Sequence, residues 1–204
     1  RAGPSAAGAA VDLQPVAALR REQWQEDPEA LERGEQLLAE GRAGFLTVAG
    51  GQGSRLGFRG PKGCFPISVL RRASLFQLFA EKLLACRRRY GRPLTWLIMV
   101  SPLNLEVTRA FFQEHEFFGI PEREVTFFCQ SMYPTLDPEG RLLLAENGGL
   151  LRNPDGHGGV IEALRSGGLI ARIAVRGVQE LFYFQVDNPL VRVPDPPFLG
   201  KHSL

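Results

Sequence analysis

A glycine-rich turn that carries two cationic side chains is the part of this sequence best suited to chemistry. Glycines stand at positions 50, 51, 53 and 57, and the same stretch holds Arg55 and the run Pro61-Lys62-Gly63. Glycine lets backbone N–H groups approach an anion closely, and the two cations supply charge where a phosphate would lie. The turn therefore predicts a phosphate-binding site.

Two commoner glycine loops do not fit this spacing. The dinucleotide-binding fingerprint needs a third glycine where this chain, counted from Gly51, has Leu56. The P-loop needs glycine, lysine and then serine or threonine, whereas Lys62 follows Pro61 and precedes Gly63. An NAD-binding domain is therefore disfavoured, and a nucleotide phosphate must be held in another way.

A carboxylate follows another apolar run. Asp187 comes directly after Leu181–Val186, a predicted strand. A carboxylate there would suit Mg²⁺, which prefers hard oxygen ligands together with phosphate oxygens. The alternative is a purely structural Asx turn at the end of the strand. Beside a phosphate loop, the sequence favours a magnesium ligand.

A second polar cluster surrounds His157, which stands in Asn153-Pro154-Asp155-Gly156-His157-Gly158-Gly159. Three glycines around a histidine, just before a predicted helix, would let the backbone approach a flat ring or hydroxyl groups closely. Taken alone, His157 is more typical of an isolated surface histidine. His115 and His202 have no comparable setting.

Composition limits the class of protein. The 204 residues are 44% hydrophobic and 23% charged, with a net charge of +2, which indicates a globular protein rather than one that binds nucleic acid. The three cysteines show no paired spacing, so neither disulfides nor zinc are expected, and the sequence favours the cytoplasm. No apolar run approaches the length of a membrane span. No pattern specifies an oligomeric state.

The order of the predicted elements favours an α/β fold. Strands are predicted at Phe45–Ala49, Leu94–Val100, Val125–Cys129 and Leu181–Val186. Helices are predicted from Ser74 to about Gly91, after Asn104 as N-cap, and from Gly159 to about Gly177 with breaks at the glycines 167 and 168. On the predicted face of the first of these helices, Lys82 is a polar interruption. A hairpin is predicted around Asn147 and Gly148.

Strands that alternate with helices imply a largely parallel sheet, whose ligands lie at the carboxyl ends of the strands. The glycine turn, Gln130 and Asp187 each follow a predicted strand, so they should meet at one edge. Ahead of this sheet the sequence predicts a helical segment over residues 1–43 with a disordered start of about ten residues. Residues 44–204 are expected to form an incomplete nucleotide-binding domain.

Several motifs together resemble those of the eukaryotic-type UTP–hexose-1-phosphate uridylyltransferases, and are most similar to the members specific for N-acetylglucosamine. The resemblance runs from about residue 45 to 200. It depends on the stretches Ala49–Lys62, Thr108–Phe112 with Phe117–Gly119, Phe127–Gln130, Pro154–Gly159, and Val186–Asn188 with Asp195-Pro196. It implies a Rossmann-like, GT-A-like nucleotidyltransferase fold and transfer of UMP from UTP to a hexose 1-phosphate, with Mg²⁺.

The resemblance also implies a role for each matching residue. Arg55 and Lys62 would be catalytic, on the pyrophosphate and the α-phosphate. Asp187 would bind the metal, and His157 and Asn188 would lie at the sugar. The nucleotide would be held by six residues: Ala49, Gly50, Gly51, Gly53, Gln130 (on the uracil edge) and Gly156.

Two features depart from the family pattern. His157 stands where the acetylglucosamine enzymes carry asparagine, and it is similar to the G-H-G pattern of UDP-glucose pyrophosphorylases, so N-acetylglucosamine 1-phosphate and glucose 1-phosphate both stay open. The family also continues beyond residue 204, which predicts a truncated catalytic domain that binds UTP weakly and turns over poorly. The alternative function is a non-catalytic nucleotide-binding or regulatory module of the same fold.

Overall fold

The computed structural model describes residues 26–204, and its regular elements alternate along the chain. In chain order they are α1 (Pro28–Ala39), β1 (Ala43–Val48), α2 (Leu75–Tyr90), β2 (Trp96–Val100), α3 (Leu105–Glu114), β3 (Val125–Cys129), β4 (Met132–Pro134), β5 (Arg152–Pro154), α4 (Val160–Ser166), α5 (Leu169–Val175), β6 (Glu180–Gln185) and α6 (Pro196–Ser203). Short 3₁₀ turns lie at Ser54–Leu56, Lys62–Cys64 and Gly156–Gly159, among others.

The central sheet is parallel throughout, in the order β3-β2-β1-β6. Phe45 of β1 pairs in register with Trp96 of β2 on one side and Phe182 of β6 on the other. The four predicted strands and the predicted α/β class are therefore confirmed. All four strands end at the same edge, where the candidate site lies.

Apolar side chains alternate between the two faces of the sheet, and helices cover both faces. On one face, β-strand residues such as Phe45 and Ile98 pack with Phe76, Phe79 and Phe112 of α2 and α3. The other face packs against α4 and α5, with a core that includes Leu46, Val48, Leu97, Met99, Phe128, Val160, Leu164 and Ile173. Thr47 is a polar residue buried inside β1. Its Oγ1 accepts a 2.8 Å hydrogen bond from Trp96 Nε1, which compensates for the loss of water.

Local signals for helix ends agree with the structure. Ser74 caps α2, because its Oγ accepts a 3.1 Å hydrogen bond from the backbone N–H of Gln77. The helical stretch after Gly159 breaks between α4 and α5, as predicted. The predicted hairpin around Asn147 and Gly148 is present, because Leu144 and Leu150 form an antiparallel bridge across the turn, although neither arm extends into a regular strand there. Its leucines are exposed, and a strand without a buried face has no strong preference for one register.

The predicted helical segment before the sheet is represented by α1, while the predicted disordered start lies outside the described residues. Within residues 26–204, no helix is long and apolar enough to cross a membrane.

Two glycines allow α1 and α6 to cross in direct backbone contact. A Cβ at Gly34 would lie 1.8 Å from the carbonyl oxygen of Pro196, and one at Gly200 would lie 1.7 Å from that of Ala30. We expect Gly200→Ala to lower the free energy of unfolding by about 1–3 kcal/mol, because the helices must move apart. Urea denaturation measures this change.

Gly158→Ala is the matched control, because a Cβ there meets no atom within 4 Å and the residue does not have a positive φ. Equal stability of Gly200→Ala and the unsubstituted chain would contradict this close crossing.

Candidate functional site

The glycine-rich turn leaves the carboxyl end of β1 and folds back on itself. The N–H of Lys62 donates a 3.0 Å hydrogen bond to the carbonyl of Gly51, and the N–H of Gly53 donates a 2.8 Å bond to that of Gly60. The loop therefore closes like a short antiparallel pair and returns Lys62 to the side of Gly51. Sequence spacing predicted both residues at the phosphate, and the closed loop is what brings them together.

Three successive backbone N–H groups at the start of this loop are free. Among residues 26–204, those of Gly50, Gly51 and Gln52 donate no hydrogen bond, whereas the N–H of Ala49 donates to Met99 in the sheet. Free amides beside a lysine form a concave donor set that suits a phosphate.

Asn104 fixes the direction of these amides. Its Nδ2 donates to the carbonyl oxygens of Gly50 at 2.9 Å and Gly51 at 3.3 Å, while its Oδ1 accepts from the Gln52 side chain. In a trans peptide the C=O and the following N–H point in opposite directions. Since Asn104 holds the two carbonyls, the N–H groups of Gly51 and Gln52 face away from it, toward the open side of the loop.

The prediction that the Asn104 side chain caps α3 is wrong. Asn104 occupies the N-cap position but makes no capping hydrogen bond, and it is 1% exposed beneath the glycine loop. Asn104 directly precedes α3, a position at which asparagine commonly caps a helix. No local sequence pattern indicates its contact with the glycine loop.

Lys62 and Asp187 meet across the mouth of the sheet. Lys62 Nζ lies 2.7 Å from Asp187 Oδ2, although the two residues follow different strands. The hydrogen bond from Lys62 lowers the pKa of the Asp187 carboxyl, while partial burial acts in the opposite direction. Asp187 is therefore a carboxylate that already faces a cation.

These residues line a small cleft, called here the Lys62–Asp187 cleft. Its volume is about 110 Å³ and its walls are Val48, Gly50, Gly51, Lys62, His157, Gln185, Val186 and Asp187. Nδ1 of His157 is hydrogen-bonded to the hydroxyl of Tyr183, whose pKa is raised by burial. Tyr183 was not among the predicted site residues, because in sequence it is one aromatic residue of a strand.

Gln130 packs directly on the glycine loop. It follows β3, its N–H donates 2.9 Å to the carbonyl of Val100, and the residue is 4% exposed. A Cβ at Gly50 would lie 2.3 Å from its Nε2, so only glycine leaves room for this amide. Within the described part of the chain the Gln130 amide makes no hydrogen bond, and it lies beside Gly50 of the loop.

Other predicted residues stand apart from the cleft. Arg55 is exposed in the turn Ser54–Leu56 and makes no hydrogen bond or ion pair with residues 26–204. Gly53 is buried, its N–H is used within the loop, and a Cβ there would lie 2.8 Å from the Phe58 ring. Asn188 is exposed and does not line the cleft.

Gly156 directly precedes His157, which lines the cleft. It has a φ of +66°, a conformation that favours glycine, and a Cβ there would meet no atom within 4 Å. Its free side is therefore open to a flat group.

A larger cavity of about 600 Å³ lies on the other side of the loop, against α3. Its walls include Phe58, Pro66, Val107 and Phe111. This cavity has neither the free amides nor the lysine–aspartate pair. The chemistry therefore points to the smaller Lys62–Asp187 cleft.

Comparison with curated proteins gives relatives over most of this chain. UDP-N-acetylglucosamine diphosphorylase 2 of Arabidopsis thaliana is 40% identical over 191 residues, which are 88% of this chain and 37% of the relative. UDP-N-acetylglucosamine pyrophosphorylase of Saccharomyces cerevisiae is 36% identical over 177 residues, or 83% of this chain and 37% of the relative. The chain thus spans little more than a third of the length of these relatives.

Solved structures share the fold. The UDP-N-acetylglucosamine pyrophosphorylase of Trypanosoma brucei, determined with an inhibitor, has a TM-score of 0.76 at 31% identity, covering 84% of this chain and 37% of that one. A UDP-glucose pyrophosphorylase from Leishmania major has a TM-score of 0.68 at 20% identity, covering 81% of this chain and 34% of that one, and shows likeness of fold alone.

The sequence of residues 5–203 matches the family described as UTP–glucose-1-phosphate uridylyltransferase. The parallel sheet with its flanking helices agrees with this match. The chain belongs to the UTP–glucose-1-phosphate uridylyltransferase family.

Proposed function

We propose that this chain binds UTP in and around the Lys62–Asp187 cleft and that the protein transfers UMP from UTP to a hexose 1-phosphate. The observation that supports this best is the meeting of Lys62 Nζ and Asp187 Oδ2 at 2.7 Å, beside Gly50 and Gly51 at the carboxyl edge of the sheet. One cation, one carboxylate and free amides are what a metal-bound triphosphate requires.

The chemistry needs no protein nucleophile. An oxygen of the sugar phosphate attacks the α-phosphorus of UTP, a new P–O bond forms, and the bond to the β-phosphate oxygen breaks, so pyrophosphate leaves. The sugar phosphate is already ionised at neutral pH. The protein therefore has to align the phosphates and neutralise developing charge, which are tasks for fixed dipoles and cations.

Within this scheme Lys62 moves between two anions. A cleft of about 110 Å³ is smaller than ordinary ligand pockets of about 300–1,000 Å³, so a triphosphate must part Lys62 from Asp187. The ammonium group then contacts the α-phosphate, and the free amides of the loop receive other phosphate oxygens. Arg55, exposed and without a protein partner among residues 26–204, is proposed to reach the departing pyrophosphate.

The residues present fit Mg²⁺ that arrives with the nucleotide. Asp187 is a carboxylate whose low pKa keeps it ionised, and it already lies against a cation. Mg²⁺ is commonly held by one or two carboxylates plus phosphate oxygens and water. When bound, the ion would neutralise phosphate charge; Asp187 would hold it on the β6 side of the cleft.

Gln130 is proposed to recognise the base. Uracil offers one donor and one acceptor on its edge, and a side-chain amide can pair with both. Cytosine exchanges the donor and the acceptor on that edge, so it would require the opposite orientation of the Gln130 amide. Gly156, whose free side is open, is proposed to pack against the base.

The acceptor sugar is proposed to be N-acetylglucosamine 1-phosphate, with glucose 1-phosphate as the alternative. The names of the more similar relatives favour the former. His157 is proposed to lie near the hexose, with Asn188 beyond it. A cytoplasmic location is likewise proposed, from the three unpaired cysteines.

Thermal unfolding in the presence of Mg²⁺ and UTP, CTP or ATP tests nucleotide binding. At a free concentration one hundred times the Kd, UTP should stabilise the fold by about 2.7 kcal/mol and raise Tm by roughly 5–10 °C. CTP and ATP should raise it much less. Equal protection by all three would contradict base recognition, and protection by none would contradict the proposed function.

A further inference from the structure

Lys82 interrupts the apolar face of α2, between the fully buried Phe79 and Leu83. Its Nζ lies 5.2 Å from the centroid of the Phe79 ring and donates 2.7 Å hydrogen bonds to the carbonyl oxygens of both Pro189 and Val191. Partial burial lowers the pKa of this amine, so its charge is poorly solvated there. The two carbonyl groups compensate for that loss of water.

The carbonyl groups belong to residues 186–195, the segment that joins β6 to α6. This segment is neither helix nor strand, and it carries Asp187 and Asn188. At its start, the N–H of Val186 donates 3.1 Å to Val48, and near its end Val193 is buried. Between these points Leu190 is 89% exposed, and the partly buried Val191 packs against the core, so few apolar side chains hold the centre of the segment.

The hydrogen bonds of Lys82 therefore fix the segment at two and four residues beyond Asp187. Without them the stretch from 187 to 192 would keep one polar side-chain contact with the body of the fold among residues 26–204, the Lys62–Asp187 pair, together with the packing of Val191 against the core. In the proposed reaction, UTP binding breaks that pair. Among the described residues, Lys82 is then the remaining polar side chain that helps to keep the Asp187 carboxylate at the cleft.

We infer that Lys82 is a positioning residue for the metal-bound nucleotide. The inference rests on the proposed function: Lys82 touches neither metal nor UTP, but holds the segment whose carboxylate meets them. Groups that orient a metal ligand typically change metal affinity by about 10- to 100-fold when they are removed.

Isothermal titration of UTP, once with Mg²⁺ and once with EDTA, isolates this effect. The dissociation constant of UTP in EDTA, divided by its dissociation constant in Mg²⁺, measures how much Mg²⁺ strengthens UTP binding. We expect Lys82→Met to reduce this ratio by about tenfold. Lys82→Arg, which can donate to both carbonyls, should restore it, and Lys82→Gln, which keeps fewer donors, should fall between them.

Lys201→Met is the matched control. It removes the same charge and breaks an ion pair, 3.0 Å from Lys201 Nζ to Asp27 Oδ2, that joins α6 to the cap of α1. A general loss of charge or stability would affect both variants, whereas a positioning role affects the Mg²⁺ ratio of Lys82→Met alone.

Amide hydrogen exchange gives a second readout that needs no nucleotide. The N–H of Val191 donates 3.2 Å to the carbonyl of Asn188 and should exchange faster in Lys82→Met. An unchanged ratio in Lys82→Met, with normal UTP binding by the unsubstituted chain, would overturn this inference alone. No UTP binding by the unsubstituted chain would overturn the proposed function and this inference with it.

Discussion

Gly50→Ala should abolish the preference for UTP over CTP and weaken UTP binding by roughly 5- to 150-fold, which corresponds to about 1–3 kcal/mol. The added Cβ would lie 2.3 Å from Nε2 and 2.9 Å from the side-chain carbon of the Gln130 amide. Because Gln130 is buried, the amide cannot turn aside without losing its position on the base. Isothermal titration with UTP and CTP measures both the affinity and the preference.

Gly51→Ala provides an internal comparison one residue away. Its Cβ would lie 3.7 Å from Cε and 3.8 Å from Nζ of Lys62, which is ordinary contact, and neither Gly50 nor Gly51 has a positive φ. Gly51→Ala should therefore keep the preference for UTP, whatever change it makes in phosphate affinity. Retention of selectivity by Gly50→Ala, or its loss in both variants, would contradict Gln130 as the group that reads the base.

Lys62→Ala should lower the rate of pyrophosphate release from UTP and a hexose 1-phosphate by about 10²–10³-fold, while UTP affinity changes by only a few-fold. The reason is that Lys62 is paired with Asp187 at 2.7 Å before the nucleotide binds, so its net gain on binding is small. Its charge acts fully when negative charge builds up at the α-phosphate, and loss of one such donor typically costs this factor in rate. A coupled pyrophosphate assay and titration of UTP give the two numbers.

Lys201→Ala controls for the loss of a lysine outside the cleft and should leave both numbers unchanged. A loss of UTP affinity in Lys62→Ala that equals the loss of kcat/KM, with kcat unchanged, would mean that Lys62 serves binding alone. Turnover that is absent in the unsubstituted chain with either sugar phosphate, together with normal UTP binding, would instead favour a nucleotide-binding module without catalysis.

The spacing of glycines and cations in the sequence predicted the loop of the candidate site, because each local requirement is visible in residue type. Buried strands appear as apolar runs and helix starts as capping residues such as Ser74, so the α/β fold and the edge where the site lies could be predicted. Asp187 was predictable for the same reason: it follows a strand of a parallel sheet, and such strand ends converge.

Contacts between distant segments decided the rest. The sequence does not show that the Asn104 side chain donates to the loop carbonyl of Gly50 instead of capping α3. Nor does it show that Lys82 of α2 donates to the carbonyls of Pro189 and Val191. Glycine at position 63 looked like part of the phosphate motif, yet a Cβ there would lie 2.2 Å from the buried Phe76 ring, so core packing requires it.

Residue type and spacing in this protein therefore determine which groups are available for chemistry and at which end of the sheet they lie. The tertiary structure alone decides which backbone amides stay free, which lysine meets Asp187, and which polar side chains serve as anchors. The physical reason is that a hydrogen bond between residues far apart in sequence depends on how the whole chain packs, and no local pattern records it.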